Sequence, residues 1–299
     1  MSSSKSWQES ENSFEALKLR RDRLTTHLQQ IVRQRDPYLG SGGHLYVRQY
    51  IHTQLAQWGE VQIHSFMVRG QTYQNLSLDL LPIAPNHRSK PPILVGAHYD
   101  AVPGSPGADD NATGVAVLLE LARSLNFNPA HRPVRLVAFD MEEYALAGSR
   151  AYAAELAQQG QKLRLMISLE MLGYTDRNPG SQHYPTGLKY FYPDRGDFIA
   201  LIGNLFTIAE MIGLQRNIKK SGTPCEWLAA GLQGKIVPDT RRSDHAPFWD
   251  LGYRAIMVTD TANLRNPHYH QPGDRLETLD LDFLTGVCSG LTQGIRNLH

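Results

Sequence analysis

Cysteine is scarce in this chain of 299 residues: Cys225 and Cys288 are its only two. Two thiols build neither a disulfide framework nor a four-thiolate metal site. Twelve histidines stand beside them, so any bound metal must be held by imidazole and carboxylate. Excess charge of one sign is also missing. Thirty Lys and Arg against 29 Asp and Glu leave a formal net charge of +1, which excludes a nucleic-acid binder driven by phosphate neutralisation. Long apolar runs are absent too. None is longer than Val115 to Leu119, which is closed by Glu120, far short of the ~20 residues of a membrane span. No membrane association is expected. The opening residues are polar and lack the ~7–15-residue apolar stretch of a secretory signal. The expected location is therefore the cytoplasm, with a processed secreted form as the alternative.

What is present is an ordinary globular composition, 41% hydrophobic and 20% charged. Residues 1–12 read as a disordered polar lead and residues 13–299 as a single domain, because no repeat and no Pro- or Ser-rich linker divides them. Apolar spacing predicts a helix from Phe14 to Val32 and another after Gly43 that stops at Gly59. Strands are predicted at Val61 to Val68 and Tyr73 to Leu81. The centre then alternates: strand Ile93 to His98, helix Ala112 to Leu125, strand Val134 to Asp140, helix Leu146 to Gln158, strand Leu163 to Glu170. Such alternation points to an α/β fold, a three-layer α/β/α sandwich around a central, mostly parallel mixed sheet. Residues 173–187 read as a loop, Asp197 to Gly213 as a helix, Arg254 to Asp260 as containing a short strand, and Asp280 to Leu298 as a closing helix.

The chemistry sits where those strands end. His98 and Asp100 close one strand and, two apart, point to one side; a metal-bound imidazole commonly has its other nitrogen held by a carboxylate. Asp109, Asp110 and Asn111 precede a helix, where one suffices as a cap and the others are spare. Glu142 and Glu143 follow the next strand. Adjacent carboxylates become favourable when one meets a cation and the other holds a proton for catalysis. Glu170 ends a run that otherwise looks buried, and His268 and His270 lie in a late loop. Ligand sites of open α/β sheets lie beyond the carboxyl ends of their strands. Ser243-Asp244-His245 is not read as a catalytic triad, since adjacency does not build one and no G-x-S-x-G elbow occurs.

The series Gly-Ala-His98-Tyr-Asp100, Gly-Ala-Asp-Asp110-Asn-Ala-Thr-Gly, Glu142-Glu143, Leu-Glu170-Met-Leu-Gly-Tyr and Tyr-His270-Gln-Pro resembles the signature of the co-catalytic zinc aminopeptidases. This is the family of secreted bacterial leucyl aminopeptidases and of the catalytic domain of glutamate carboxypeptidase. The resemblance covers residues from about 60 to 295, in the family's order. It implies two zinc ions, one held by His98, Asp110 and Glu170 and the other by Asp110, Glu143 and His270, with Asp110 bridging. Glu142 would be the general base and Asp100 the group that orients His98. The partner implied is a peptide or aminoacyl substrate cleaved at its N-terminal residue. His245 falls near the family's substrate pocket, as a substrate contact or a loop support, and His268 is expected to be structural. Two positions depart from the pattern: Glu170 replaces the more usual Asp, the same oxygen donor on a longer arm, and Gln271 replaces Thr. The rival reading is a glutaminyl-peptide cyclotransferase, similar in fold and working with one zinc. A related amidase or carboxypeptidase type carries an inserted dimerisation domain. The interval from Glu170 to His270 already has to hold a loop, a helix and a strand, which argues against it. A non-catalytic module is disfavoured by retention of Glu142 and every ligand position.

Overall fold

Strands delivered in sequence as β1 (Val61–Val68), β2 (Gln71–Leu80), β3 (Ile93–His98), β4 (Val134–Phe139), β5 (Leu165–Glu170), β6 (Ile199–Gly203), β7 (Cys225–Ala229) and β8 (Ala255–Thr259) hydrogen-bond into one sheet. Their order across it is β1-β2-β4-β3-β5-β8-β6-β7. The structure is a computed structural model that describes residues 14–39, 42–185 and 187–299, so the polar lead expected at residues 1–12 lies outside the described residues. Four central strands, β4, β3, β5 and β8, run parallel. The antiparallel hairpin β1–β2 joins them at β4, and β6 joins antiparallel to β8 with β7 parallel outside it. This is the mixed α/β sheet expected from the alternating pattern.

Helices cover both faces because the buried strands are apolar on both. On β3, Ile93, Val95 and Ala97 join one apolar cluster while Leu94 joins the other. Strand β5 divides likewise, with Leu165, Ile167 and Leu169 on one face and Met166 on the other. The first face packs against α1 (Phe14–Ile31), α2 (Gly42–Leu55), α3 (Gly114–Phe127), α5 (Ile208–Lys220) and α7 (Leu281–Asn297). The second packs against α4 (Ala147–Gln158) and α6 (His245–Asp250). No helix among the described residues is long and apolar enough to cross a membrane.

One predicted element is wrong. The helix expected over Asp197 to Gly213 is instead strand β6, a turn, and then α5 from Ile208. The run Ile199-Ala-Leu-Ile-Gly203 is buried throughout, and a five-residue apolar stretch carries no period that separates strand from helix. The boundary is written at Asn204, whose side chain accepts from Phe206 N while Thr207 Oγ1 accepts from Asn204 N. Strand β7 and the short helix α6 were not foreseen.

Between β3 and β5 the chain crosses from one side of β3 to the other, since α3 leads to β4 and α4 leads back to β5. Such a switch point leaves a crevice at the carboxyl ends of the strands. Its supporting helices are tied by charge as well as by packing. Glu120 of α3 is fully buried; Arg23 of α1 donates to it at 2.8 and 2.6 Å, and Arg20 lies 3.5 Å away while also bonding Ser289 of α7. Burial alone would raise the Glu120 pKa, but the Arg23 hydrogen bonds outweigh it and hold the carboxyl below its ordinary range. Breaking a buried pair by removing one partner costs about 3–5 kcal/mol. Glu120→Ala should lose stability of that order in urea unfolding, and a loss within experimental error would show that the cluster does not hold α1 to α3.

Candidate active site

Each strand of the parallel core ends on, or just before, an ionisable residue. His98 is the last residue of β3 and Asp100 follows it; Glu142 and Glu143 follow β4; Glu170 is the last residue of β5; His270 comes from the loop after β8. Asp110 sits in the tight turn of residues 108–113 that leads into α3. The fold brings all seven together. Asp110 turns Oδ1 to His98 Nε2 and Oδ2 to His270 Nε2, both at 3.2 Å. Glu170 Oε1 lies 3.6 Å from His98 Nε2, and Glu143 Oε2 lies 3.2 Å from His270 Nε2. Asp110 is therefore shared between the two imidazoles, with Glu170 beside one and Glu143 beside the other. Glu142 Oε2 points at the same centre, 3.9 Å from His98 Nε2. Asp100 faces the other side of the imidazole, with Oδ1 3.4 Å from Nδ1, and its two oxygens accept from the backbone of Glu142 and Glu143 at 3.0 and 3.2 Å.

Surrounding groups pin these side chains through the backbone. Asp274 accepts from the amides of Asp109 and Asp110 at 2.8 and 3.0 Å, fixing the turn. Asp109 is turned away from the centre and ties Gly173 N and Asn266 Nδ2. Asn111 caps α3 through Gly114 N and reaches β5 through Leu169 O and Met171 N. A Cβ on Gly114 would lie 2.3 Å from Asn111 Oδ1 and 2.8 Å from Leu169 O, so only glycine fits. Ser243 donates to Glu170 Oε2 at 2.7 Å. Met141, Met171 and His270 adopt left-handed backbone, with φ of 59°, 50° and 58°. Such non-glycine conformations cost roughly 1–3 kcal/mol each and cluster at functional sites.

The electrostatics of the metal-free chain describe a centre that requires positive charge. Burial pushes Glu142 well above the carboxylate range, with Glu170 and Glu143 adding to it against His98. Burial and the neighbouring Asp110 push Glu143 up to about 7. Burial would lower the His98 and His270 pKa values, yet the carboxylates around them win: His98 is raised well above its ordinary value and His270 to about 10. The two imidazoles beside it hold Asp110 far below the usual range despite its burial. Protons thus occupy the histidines by default. His98 Nδ1 and Nε2, His270 Nε2 and Glu143 Oε1 are buried atoms without a hydrogen-bond partner. Ligand atoms of His98, Asp110 and Glu143, and of His98, Glu142 and Glu170, come within 4.8 Å of one another. Orphaned imidazole nitrogens beside carboxylate oxygens are the donor set of a divalent zinc-type centre.

A model of peptidase family M28 matches residues 80–200. The uncharacterized protein YfbL of Escherichia coli (strain K12) is 38% identical over 246 residues, covering 77% of this chain and 72% of that one. The chain belongs to peptidase family M28. The aminopeptidase YwaD of Bacillus subtilis (strain 168) is 30% identical over 197 residues, 64% of this chain and 38% of its own. BSAP, a zinc aminopeptidase from Bacillus subtilis, superposes with a TM-score of 0.57 at 26% identity, over 76% of this chain and 50% of that structure. The M28 chain described here thus spans half or less of the length of these two aminopeptidases.

Beside the M28 centre lies a cavity of about 100 Å³. Glu170 and Tyr269 line it together with Leu188, Phe198, Ile202, Trp227, Leu228 and Met257, and charge enters its wall otherwise through Glu226, Asp239 and Arg242. His245, expected as a substrate contact or a loop support, does not line it. Its ring is fully buried, bonds Thr240 O through Nε2 at 2.8 Å and meets Trp249 edge-on, so it supports the loop. Burial pushes its pKa down to about 4, leaving it neutral. His268 packs against the Gly273 turn and the Tyr174 ring. Cys225 and Cys288 are buried and free. Ser243 and Asp274 carry supporting roles that their sequence context does not signal, since one bonds a side chain 73 residues away and the other bonds backbone amides.

Because the histidines must surrender their protons to a metal, zinc loading at pH 7 should release protons. Calorimetry in two buffers of different ionisation enthalpy measures the release, and none would contradict the charge assignment. Zinc at a hundredfold excess over Kd should also stabilise the fold by about 2.7 kcal/mol.

Proposed function

We propose that this M28 chain is a metal-dependent aminopeptidase that hydrolyses the first peptide bond of peptides carrying a bulky apolar N-terminal side chain. The observation that carries the reading is the sharing of Asp110 between His98 and His270, with Glu142 aimed at the same centre. His98, Asp110 and Glu170 would hold one zinc ion, and Asp110, Glu143 and His270 a second. Ions held there supply Lewis acidity toward the scissile carbonyl and the attacking water.

The chain's own residues do the rest. Glu142 takes the proton of the attacking water and passes it to the leaving amine. Asp100 is a positioning residue, with its carboxylate 3.4 Å from His98 Nδ1 and the Glu142–Glu143 turn held through two backbone amides. Ser243 fixes the rotamer of Glu170. The aromatic and aliphatic cavity receives the N-terminal side chain.

Glu142→Gln should keep its metal and lose at least ~100-fold in turnover, the usual range for a removed general base. His270→Ala should lose metal with rate, and unchanged metal content would remove it from the ligand set. Metal analysis should give close to two ions per chain; one ion, with cyclisation of N-terminal glutaminyl peptides, would favour the cyclotransferase.

A panel of aminoacyl amides tests the cavity. Burying a Leu or Phe side chain contributes roughly 1.5–3 kcal/mol, or about 10–100-fold in kcat/KM over Ala. Equal rates across Leu, Phe, Ala, Asp and Lys amides would show that the cavity does not receive that side chain.

A further inference from the structure

The segment between α1 and α2 lies far in sequence from every residue of the centre, yet it grips three of the segments that build it. Arg35 is fully buried and has no carboxylate partner within ion-pair distance among the described residues. Its guanidinium is spent on backbone carbonyls instead: Nε on Tyr99 O at 2.8 Å, Nη1 on Pro106 O at 2.5 Å and Arg33 O at 3.3 Å, Nη2 on Gly107 O at 2.8 Å and Asp110 O at 3.2 Å. Tyr99 stands between His98 and Asp100, and Asp110 is the shared carboxylate. One planar fork therefore fixes the end of β3 relative to the turn before α3. Gly107 is in left-handed conformation, and a Cβ there would lie 2.7 and 2.8 Å from the Arg35 Nη atoms.

Neighbours of Arg35 hold the third turn. Asp36 accepts the Tyr144 hydroxyl next to Glu143, and Tyr38 packs edge-on against Tyr144 with ring centroids 4.4 Å apart. His44 of α2 bonds Asp140 at 2.8 Å, whose other oxygen takes the Tyr99 hydroxyl at 2.7 Å.

We propose that Arg35 is a positioning residue that holds the segments bearing His98, Asp100 and Asp110 in ligating geometry, so that metal affinity depends on a residue outside the ligand set. The inference rests on the reading of the centre as a zinc site. Charge and geometry make opposite demands here. A buried cation near the centre repels a metal ion, so losing the charge alone would tighten binding; losing the fork would loosen it. Lysine keeps the charge but offers no planar five-donor fork.

The test is zinc affinity of the full chain by competition with a chromophoric chelator, beside the melting temperature of each metal-free variant. Arg35→Lys should bind zinc 10–100-fold more weakly, the range for partners that orient ligands. Arg35→Met should also bind more weakly despite losing a positive charge; if it does not fold, Arg35→Lys alone decides. Wild-type affinity in Arg35→Lys, or tighter binding in Arg35→Met, would overturn the inference, as would a fall in melting temperature without a change in affinity. A wild-type chain that takes up no zinc would instead overturn the reading of the site.

Discussion

Crowding of buried carboxylates at one edge of the sheet is the constraint on which the rest of this structure depends. Asp100, Asp109, Asp110, Glu142, Glu170, Asp244, Asp260 and Asp274 are all buried there, with Glu143 close to it. Burying a carboxylate is strongly unfavourable unless it is bonded or paired. The chain answers in two ways. Asp100, Asp109 and Asp274 are satisfied by backbone amides and so serve as struts. Asp110, Glu142, Glu143 and Glu170 converge on two imidazoles, which leaves a surplus of negative charge at a single point. Such clusters of strongly perturbed ionisable groups concentrate at functional sites.

Topology makes the convergence possible. Parallel strands β4, β3, β5 and β8 finish on one edge, and the crossover at β3 opens the crevice into which their terminal residues project. Strands buried on both faces are held by two apolar layers, so their ends form a rigid base. The turns above that base are not rigid by themselves. They are strained at Met141, Met171 and His270 and must be clamped from elsewhere, by Asp274, by Ser243 and by the segment around Arg35.

This division explains what could be read in the sequence. His98, Glu142, Glu143 and Glu170 stand out in sequence because they end or closely follow apolar strands, whereas Asp110 and His270 stand out only through the order of motifs that carries the resemblance. The central alternation fixed the layers for the same reason. Strand β6 was misread because five apolar residues carry no period, and β7 was missed for want of contrast. Arg35, Ser243 and Asp274 escaped because their partners are either backbone atoms or side chains tens of residues away. A residue whose work is to bond a main-chain carbonyl leaves no pattern in one dimension. His245 shows the converse, since a His beside Ser and Asp looks chemical in sequence while its buried ring only bonds Thr240 O.

The family match over residues 80–200 contains His98, Asp100, Asp110, Glu142, Glu143 and Glu170, which makes it the most recognisable part of the chain. It is not a self-sufficient part. His270 meets the second oxygen of Asp110, Asp274 holds the turn of Asp110, Ser243 holds Glu170, and β8 flanks β5 in the sheet. From the other end of the chain, Arg35 and His44 reach the backbone and side chains of the same turns. The conspicuous acids thus depend on inconspicuous donors on both sides of them in sequence. Crowded charge is tolerable only when every carboxylate is aimed, and aiming them takes contacts from α2 to the loop after β8, so the functional unit is larger than the segment that reveals the family.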